Sequence, residues 1–96
     1  MKEIDFSQAR REGKGFQFPG EFEITAVGLA SADLPGRVPQ LLERAGLRVL
    51  HESVRHRHSG AGNFVSVTIS FFCDSREHYE TAHQALRADP DIRYTL

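Results

Sequence analysis

Cysteine is almost missing from this 96-residue sequence, since Cys73 is the only one. A lone cysteine excludes an internal disulfide, a CxxC redox motif and a thiolate metal cluster. Long apolar runs are missing too, and the opening residues Met1 to Asp5 form no apolar signal region, so nothing here targets or spans a membrane. We therefore expect a cytoplasmic protein in a reducing compartment.

An excess of charge of one sign is also missing. Twelve Lys and Arg residues stand against thirteen Asp and Glu residues, which gives a formal net charge of −1. A general nucleic-acid binder presents a basic surface to the phosphate backbone, so this balance disfavours nucleic acid as a partner. We predict neither nucleic-acid nor membrane partners.

The chain length and the first residues define the domain organisation. Residues 1–15 mix both charge signs with Gly13 and Gly15 and show no sustained apolar period, which is typical of a flexible tail. Residues 16–96 are long enough for one domain only, because a chain this short buries roughly 60 to 70 % of its unfolded surface. We predict a single domain that follows a separable tail.

Alternating apolar residues predict strands over 20–28, 47–57 and 64–73, and a last strand in which Ile92, Tyr94 and Leu96 alternate with their neighbours. In the third strand, one side carries Val65, Val67, Ile69, Phe71 and Cys73, and the other carries Phe64, Ser66, Thr68, Ser70 and Phe72. The first set should form the core. The second set should form a hydroxyl-rich sheet surface framed by two aromatic rings.

Two apolar stripes predict the helices. The first stripe consists of Leu34, Val38, Leu41, Leu42 and Ala45, and the second of Tyr79, Ala82, His83 and Leu86. Because proline is tolerated only in the first helical turn, Pro39 should delay the first helix to Gly36 or Arg37. Asp74 or Ser75 can cap the second helix, with Glu77 placed for a capping-box contact with Asp74.

The resulting order is βαββαβ. It predicts a four-stranded antiparallel sheet with both helices on one face, a ferredoxin-like α+β sandwich whose other face is open. Phe64, Ser66, Thr68 and Phe72 then form a candidate association face, because exposed apolar patches on small domains often mark interfaces. We expect a homodimer formed through this face.

The segment Asp33-Leu34-Pro35-Gly36-Arg37 is a candidate binding loop between the first strand and the first helix. Gly36 lets the backbone approach a ligand, helix amides can receive a carboxylate, and Arg37 can pair with one. Asp33, Pro35, Gly36 and Arg37 are therefore the predicted site for an amino-acid-like or carboxylate effector. The alternative is that these residues only make a turn and start a helix.

The same segment carries a resemblance to a known family. Asp33-Leu34-Pro35-Gly36, followed by Leu42, Gly46 and Val49, resembles the D-x-P-G and L-x-x-x-G-x-x-V pattern of ACT domains. These are small ferredoxin-like regulatory modules that often bind amino acids at a dimer interface. The resemblance implies a regulatory, ligand-binding role for the predicted loop.

A second resemblance covers residues 16–96. Phe18-Pro19, the segment Gly62 to Thr68, and the terminal stretch from Asp91 to Leu96 resemble the bacterial YbeD-like family. Its members are small cytoplasmic proteins with an ACT-like fold and no assigned biochemical activity. The fold and a regulatory analogy are what this resemblance implies, and the charged tail and the Arg55-His56-Arg57-His58 run depart from it.

Catalytic and metal chemistry find little support in the sequence. His56 and His58 share one side of a regular strand, whereas His51 points to the other side. A closed metal site needs a third and usually a fourth ligand, and only Glu52 lies on the same side within the strand, so we predict no metal and no cofactor. Cys73 and the strand hydroxyls have no assigned base partner.

We predict a non-enzymatic regulatory accessory domain that binds a small effector or a protein partner. The alternatives are an interaction adaptor without a small-molecule site and, third, a small enzyme.

Overall fold

The computed structural model describes residues 17–96, so the tail predicted over residues 1–15 lies outside the described residues. The elements are β1 (Gly20–Leu29), a short 3-10 turn (Ala30–Ala32), α1 (Leu34–Arg44), β2 (Arg48–His58), β3 (Phe64–Cys73), α2 (Arg76–Arg87) and β4 (Ile92–Thr95). The predicted βαββαβ order is confirmed.

The four strands form one sheet in the order β2-β3-β1-β4, and every neighbouring pair is antiparallel. The two central strands pair without a register shift, from Gly20 opposite Cys73 to Leu29 opposite Phe64. Both helices pack on one side of the sheet, which we call the covered face. The other side is the open face, and the ferredoxin-like α+β class is confirmed.

The core lies between the helices and the covered face of β3. Val65, Val67, Ile69, Phe71 and Cys73 are each at most 1 % exposed, as their alternation predicts. The helices contribute Leu34, Val38, Leu42, Ala82 and Leu86, which are fully buried. Leu41, which lies at the margin of the first stripe, is only partly buried.

Helix α1 begins at Leu34, earlier than the predicted start at Gly36 or Arg37. Asp33 adopts a left-handed backbone with φ of 53°, and its carbonyl oxygen accepts hydrogen bonds from the amides of Gly36 (3.1 Å) and Arg37 (3.0 Å). Pro39 consequently lies inside the helix, where its ring nitrogen cannot donate to the carbonyl of Pro35. Burial of the Pro39 ring offsets part of that loss.

Helix α2 is capped by Ser75, whose hydroxyl oxygen accepts a hydrogen bond from the amide of His78 (3.2 Å). Glu77 is the second residue of the helix, so the predicted capping-box contact between Glu77 and Asp74 is wrong. The reason is a shift of one residue: with Ser75 as the cap, the capping-box position falls on His78.

Both edge strands depart from the regular alternation that the sequence suggests. Leu50 lies opposite Ser70 and Arg55 lies opposite Thr68, so β2 uses five steps where β3 uses two. The Ser53 hydroxyl stabilises this bulge, because its oxygen accepts from the amide of Ser70 (2.8 Å) and its proton is donated to the carbonyl of Leu50 (2.6 Å).

A smaller shift occurs in β4, where Ile92 lies opposite Gly28 and Tyr94 lies opposite Val27. Arg93 is therefore an extra residue, and Ile92 and Tyr94 point to opposite sides of the sheet. The predicted alternation through Ile92, Tyr94 and Leu96 is wrong for this reason. Ile92 joins the core, whereas Tyr94 reaches the open face.

Candidate functional site

The segment Asp33 to Arg37, which was predicted as a loop, forms the N-cap residue and the first turn of α1, because the helix begins at Leu34. A Cβ atom added to Gly36 would come within 2.8 Å of the Asp33 carboxylate oxygen Oδ2, so that carboxylate lies directly against the first helical turn. An anion near a helix N-terminus is stabilised by the helix dipole. The side chain of Asp33 therefore supplies a negative charge at the position predicted for a ligand carboxylate.

Arg37 is engaged within the chain. Its Nη1 atom donates to the carbonyl oxygen of Ala32 (3.0 Å) and to the Asp91 carboxylate (3.0 Å), and its Nη2 atom donates to the carboxylate of Asp89. The hydrogen bonds to Asp91 and then to Asp89 raise the pKa of Arg37 above its ordinary value. We call this set of contacts the Arg37 latch.

The Arg37 latch ties the start of α1 to the loop between α2 and β4. The Asp89 side chain is only 6 % exposed, and its second oxygen accepts the amide of Asp91 (2.9 Å). These contacts use three of the five N–H groups of the guanidinium, so a ligand carboxylate at Arg37 would share the cation with Asp89 and Asp91. Asp89 and Asp91 were missed at the sequence level because they lie more than fifty residues beyond Arg37, and no local pattern signals the contact.

Large exposed hydrophobic side chains gather on the open face. Among the described residues these are Phe64 (39 % exposed), Phe72 (40 %), Tyr94 (50 %) and Leu96 (70 %). Phe64 and Phe72 were predicted there. Tyr94 and Leu96 join them because the shift at Arg93 turns Tyr94 over, and Leu96 exchanges two backbone hydrogen bonds with Thr25.

The centre of the open face is polar, and part of it is paired within the sheet. The hydroxyls of Thr25 and Thr68 are 2.8 Å apart, and Ser70 is 8 % exposed. Predicted Ser66 and Thr68 are therefore placed between Phe64 and Phe72, as expected from their alternation. The structure brings Phe64, Ser66, Thr68 and Phe72 together on one surface, with apolar ends and a hydroxyl centre.

The family described as "Protein of unknown function (DUF493)" matches residues 14–96 of this chain. The chain belongs to the DUF493 family. The relatives of this DUF493 protein include "UPF0250 protein" of Xanthomonas campestris pv. campestris (strain 8004), which is 48 % identical over 82 residues, 85 % of this chain and 89 % of the relative.

Two further relatives have the same coverage of both chains. "UPF0250 protein XAC0666" of Xanthomonas axonopodis pv. citri (strain 306) is 50 % identical, and "UPF0250 protein Smlt4048" of Stenotrophomonas maltophilia (strain K279a) is 49 % identical. The resemblance to the YbeD-like family is thereby confirmed. The family description states no activity, so any role of this DUF493 protein has to be argued from its own residues.

Arginines border the open face of this DUF493 protein on its β2 side. The guanidinium of Arg48 lies 5.1 Å from the centre of the Phe72 ring, and Arg55 forms an ion pair with Glu23 across the face (3.2 Å). Arg57 lies opposite Ser66. It borders a groove of about 240 Å³ that is also lined by Phe64 and Tyr94.

The histidines are arranged differently from the prediction. His51 contacts Glu43 of α1 (2.7 Å), so it lies on the covered side. His56 and His58 lie opposite the buried residues Val67 and Val65, which places them on that same side, because the bulge in β2 reverses the alternation. Over residues 17–96, no group of three or more His, Cys, Asp or Glu residues could hold a metal ion.

Burial shifts the pKa of two further side chains, the buried Cys73 and the partly buried His83. Burial raises the pKa of the Cys73 thiol, which donates a hydrogen bond to the carbonyl of Ser75 (3.0 Å). Burial, and then the Arg87 charge, lowers the pKa of His83, whose Nδ1 lies 2.7 Å from the Thr95 hydroxyl.

In the described part of the chain, no helix is long and apolar enough to cross a membrane.

Proposed function

We propose that this DUF493 protein is a non-catalytic, cytoplasmic accessory domain that regulates a partner protein by binding it through the open sheet face. The observation that carries this proposal is the grouping of Phe64, Phe72, Tyr94 and Leu96 on one face. Protein interfaces are enriched in aromatic residues, which contribute a large share of the binding energy. A polar centre of hydroxyls supplies the hydrogen-bonding groups that orient a partner.

The alternative role, capture of a carboxylate effector at the Asp33 to Arg37 loop, has less geometric support. Arg37 already shares its charge with Asp89 and Asp91 and donates to the carbonyl of Ala32, and the Asp33 carboxylate lies against Gly36. Effector binding at this loop stays a prediction. A thermal-shift screen with free amino acids and carboxylates tests it, because a ligand specific for the native state raises the melting temperature.

Site-directed photo-crosslinking tests the proposed role. A photoreactive phenylalanine analogue placed at Phe72 should form a discrete adduct in an extract of the native host, and Tyr94→Glu in the same chain should abolish it. The matched control carries the analogue at Gln84, an exposed position on α2. This control should give no adduct.

The mass of the adduct then identifies what occupies the open face. A partner of different mass supports the proposal, whereas an adduct of twice the chain mass shows the homodimer that the sequence suggests. Adducts of equal yield at Phe72 and Gln84, or none at Phe72, would contradict the proposal. Circular dichroism of each variant establishes that the fold is intact.

A further inference from the structure

We propose that the partner of this DUF493 protein contributes an acidic segment, which docks on the hairpin arm formed by residues 55–64 and the adjoining Ser66. A carboxylate of the segment pairs with Arg57, and a neighbouring apolar side chain enters the groove between Phe64 and Tyr94. This inference rests on the proposed function, because it names the chemistry of the partner at one end of the open face.

The charge distribution along the chain supports an acidic partner. Residues 53–73 contain no Asp or Glu, and they include Arg55, His56, Arg57 and His58. Removing their two arginines from the totals leaves ten Lys and Arg against thirteen Asp and Glu elsewhere (12 − 2 = 10). The arm is thus a positive region on a chain that is otherwise negative, and such a region attracts and orients an acidic surface.

Exposure makes this charge accessible. Every residue from Arg55 to Phe64 is exposed, whereas Val65 and Val67 return to the core. The arm therefore extends beyond the part of the sheet that the helices cover. A segment of a partner can approach it without displacing any element packed within residues 17–96.

The two arginines of the arm differ in what they contact. Arg55 is paired with Glu23. Arg57 makes no side-chain hydrogen bond or ion pair to any described residue between 17 and 96. A planar guanidinium of this kind binds carboxylates by paired, charge-assisted hydrogen bonds. Arg57 is therefore the arginine of the arm that is available to a carboxylate from outside.

The groove beside Arg57 has the mixed chemistry that such a segment requires. It measures about 240 Å³ and is lined both by the apolar side chains of Val27, Phe64 and Tyr94 and by the polar groups of Arg57, Ser59 and Ser66. This is room for one side chain, not for a folded element. A carboxylate residue beside an apolar residue matches both kinds of lining.

Charge also favours this occupant over a second copy of the chain. A two-fold symmetric contact centred on the arm would bring the Arg57 side chains of both copies together, because each copy presents the same patch. Like charges in contact oppose association, whereas an acidic strand meets complementary charge. Charge repulsion at the arm therefore disfavours a second copy of the chain there, and the same positive charge favours an acidic segment.

Two synthetic peptides test the inference with the full chain. One is a short fluorescent peptide that alternates Glu with Val and Phe, and the other is its counterpart with every Glu replaced by Gln. Fluorescence anisotropy at low salt should show that the Glu peptide binds at least about tenfold more tightly. Raising NaCl to about 0.5 M should weaken that preference, because salt screens exposed charges.

Variants assign the binding to Arg57. Arg57→Glu should reduce the affinity for the Glu peptide by about tenfold or more and leave the affinity for the Gln peptide nearly unchanged. The control is Arg44→Glu, which reverses an exposed arginine on α1 and should leave both affinities unchanged. Melting temperatures establish that each variant is folded.

Equal affinity for the two peptides, no binding of either, or an Arg57→Glu variant that binds like the unmodified chain would each overturn the inference. These failures are distinct from a failure of the proposed function. If the crosslink at Phe72 persists and Tyr94→Glu still abolishes it, the open face binds a partner whose chemistry is not acidic at the arm.

Discussion

Phe71 and Phe72 are neighbours in β3, yet Phe71 is 0 % exposed and Phe72 is 40 % exposed. Phe71 lies on the covered face among the core residues, and Phe72 lies on the open face beneath the Arg48 guanidinium. The backbone and the side-chain type are the same, so only the direction of the side chain differs. The comparison separates a side of the strand that is packed for stability from an exposed side that, in our proposal, binds a partner.

Replacing each phenylalanine with alanine is the most direct way to break this comparison. Phe71→Ala should lower the free energy of unfolding by about 3 to 5 kcal/mol, because it leaves a cavity in a fully packed core. Phe72→Ala should cost well under about 1 kcal/mol, since its ring is already partly hydrated. Urea titrations of both variants measure the difference, and equal costs would contradict the division between the faces.

Gly28 tests how tightly the covered side is packed. An added Cβ atom would lie 2.2 Å from the carbonyl oxygen of Asp91 and 2.7 Å from Leu34 Cδ1. Gly28→Ala should therefore cost about 1 to 3 kcal/mol through overpacking. Gly60→Ala is the matched control, because its added methyl group would meet no atom within 4 Å. A control as destabilised as the Gly28 variant would show that packing is not the cause.

The Arg37 latch provides a test of whether Arg37 stabilises the fold or binds a ligand. Arg37→Ala should lower the melting temperature, because it leaves the nearly buried Asp89 carboxylate without its cation. A double-mutant cycle with Asp89→Asn measures the coupling, and the double variant should lose less than the sum of the two single variants. Additive losses, or an Arg37→Ala variant as stable as the parent chain, would favour the predicted effector role.

The pH dependence is the smallest expected effect. Because burial and the Arg87 charge lower the pKa of His83 below 6.5, the unfolded chain binds a proton more readily than the native one. The contribution of His83 to the free energy of unfolding is present above pH 6.5 and is lost as the pH falls through the depressed pKa of the native state. His83→Gln should reduce the loss of stability between about pH 7 and pH 5. Stability curves of the His83→Gln variant and the unmodified chain that coincide over this range would contradict this assignment.

Sequence patterns predict the central part of this fold well and its edges less well. β3 is bounded by Phe64 and Cys73 as predicted, because one strict alternation runs through its whole length. Edge strands have one free side, so they tolerate extra residues such as Arg93, and such residues reverse the alternation without leaving a composition signal. The start of α1 was predicted too late, because the rule for Pro39 neglected the gain from burying its ring.

For the candidate site residues, too, local patterns predicted positions in the fold but not contacts between distant parts of the chain. Local chemistry located the Asp33 to Arg37 loop and the faces of Phe64 and Phe72. It did not reveal that Arg37 contacts Asp89 and Asp91, because that contact depends on how the last strand returns beside β1. Tyr94 was missed on the open face for a related reason, since one inserted residue decides its direction.

The bulge in β2 determines which residues of this protein can be changed without harm to the fold. It divides β2 into a part next to the core, Arg48 to Leu50, and the exposed outer part, Arg55 to His58, joined by a segment that Ser53 holds in place. Substitutions beyond the bulge should therefore leave the packed interior intact. The outer hairpin is in this sense an exchangeable cassette, whose charge can be changed at little risk to folding.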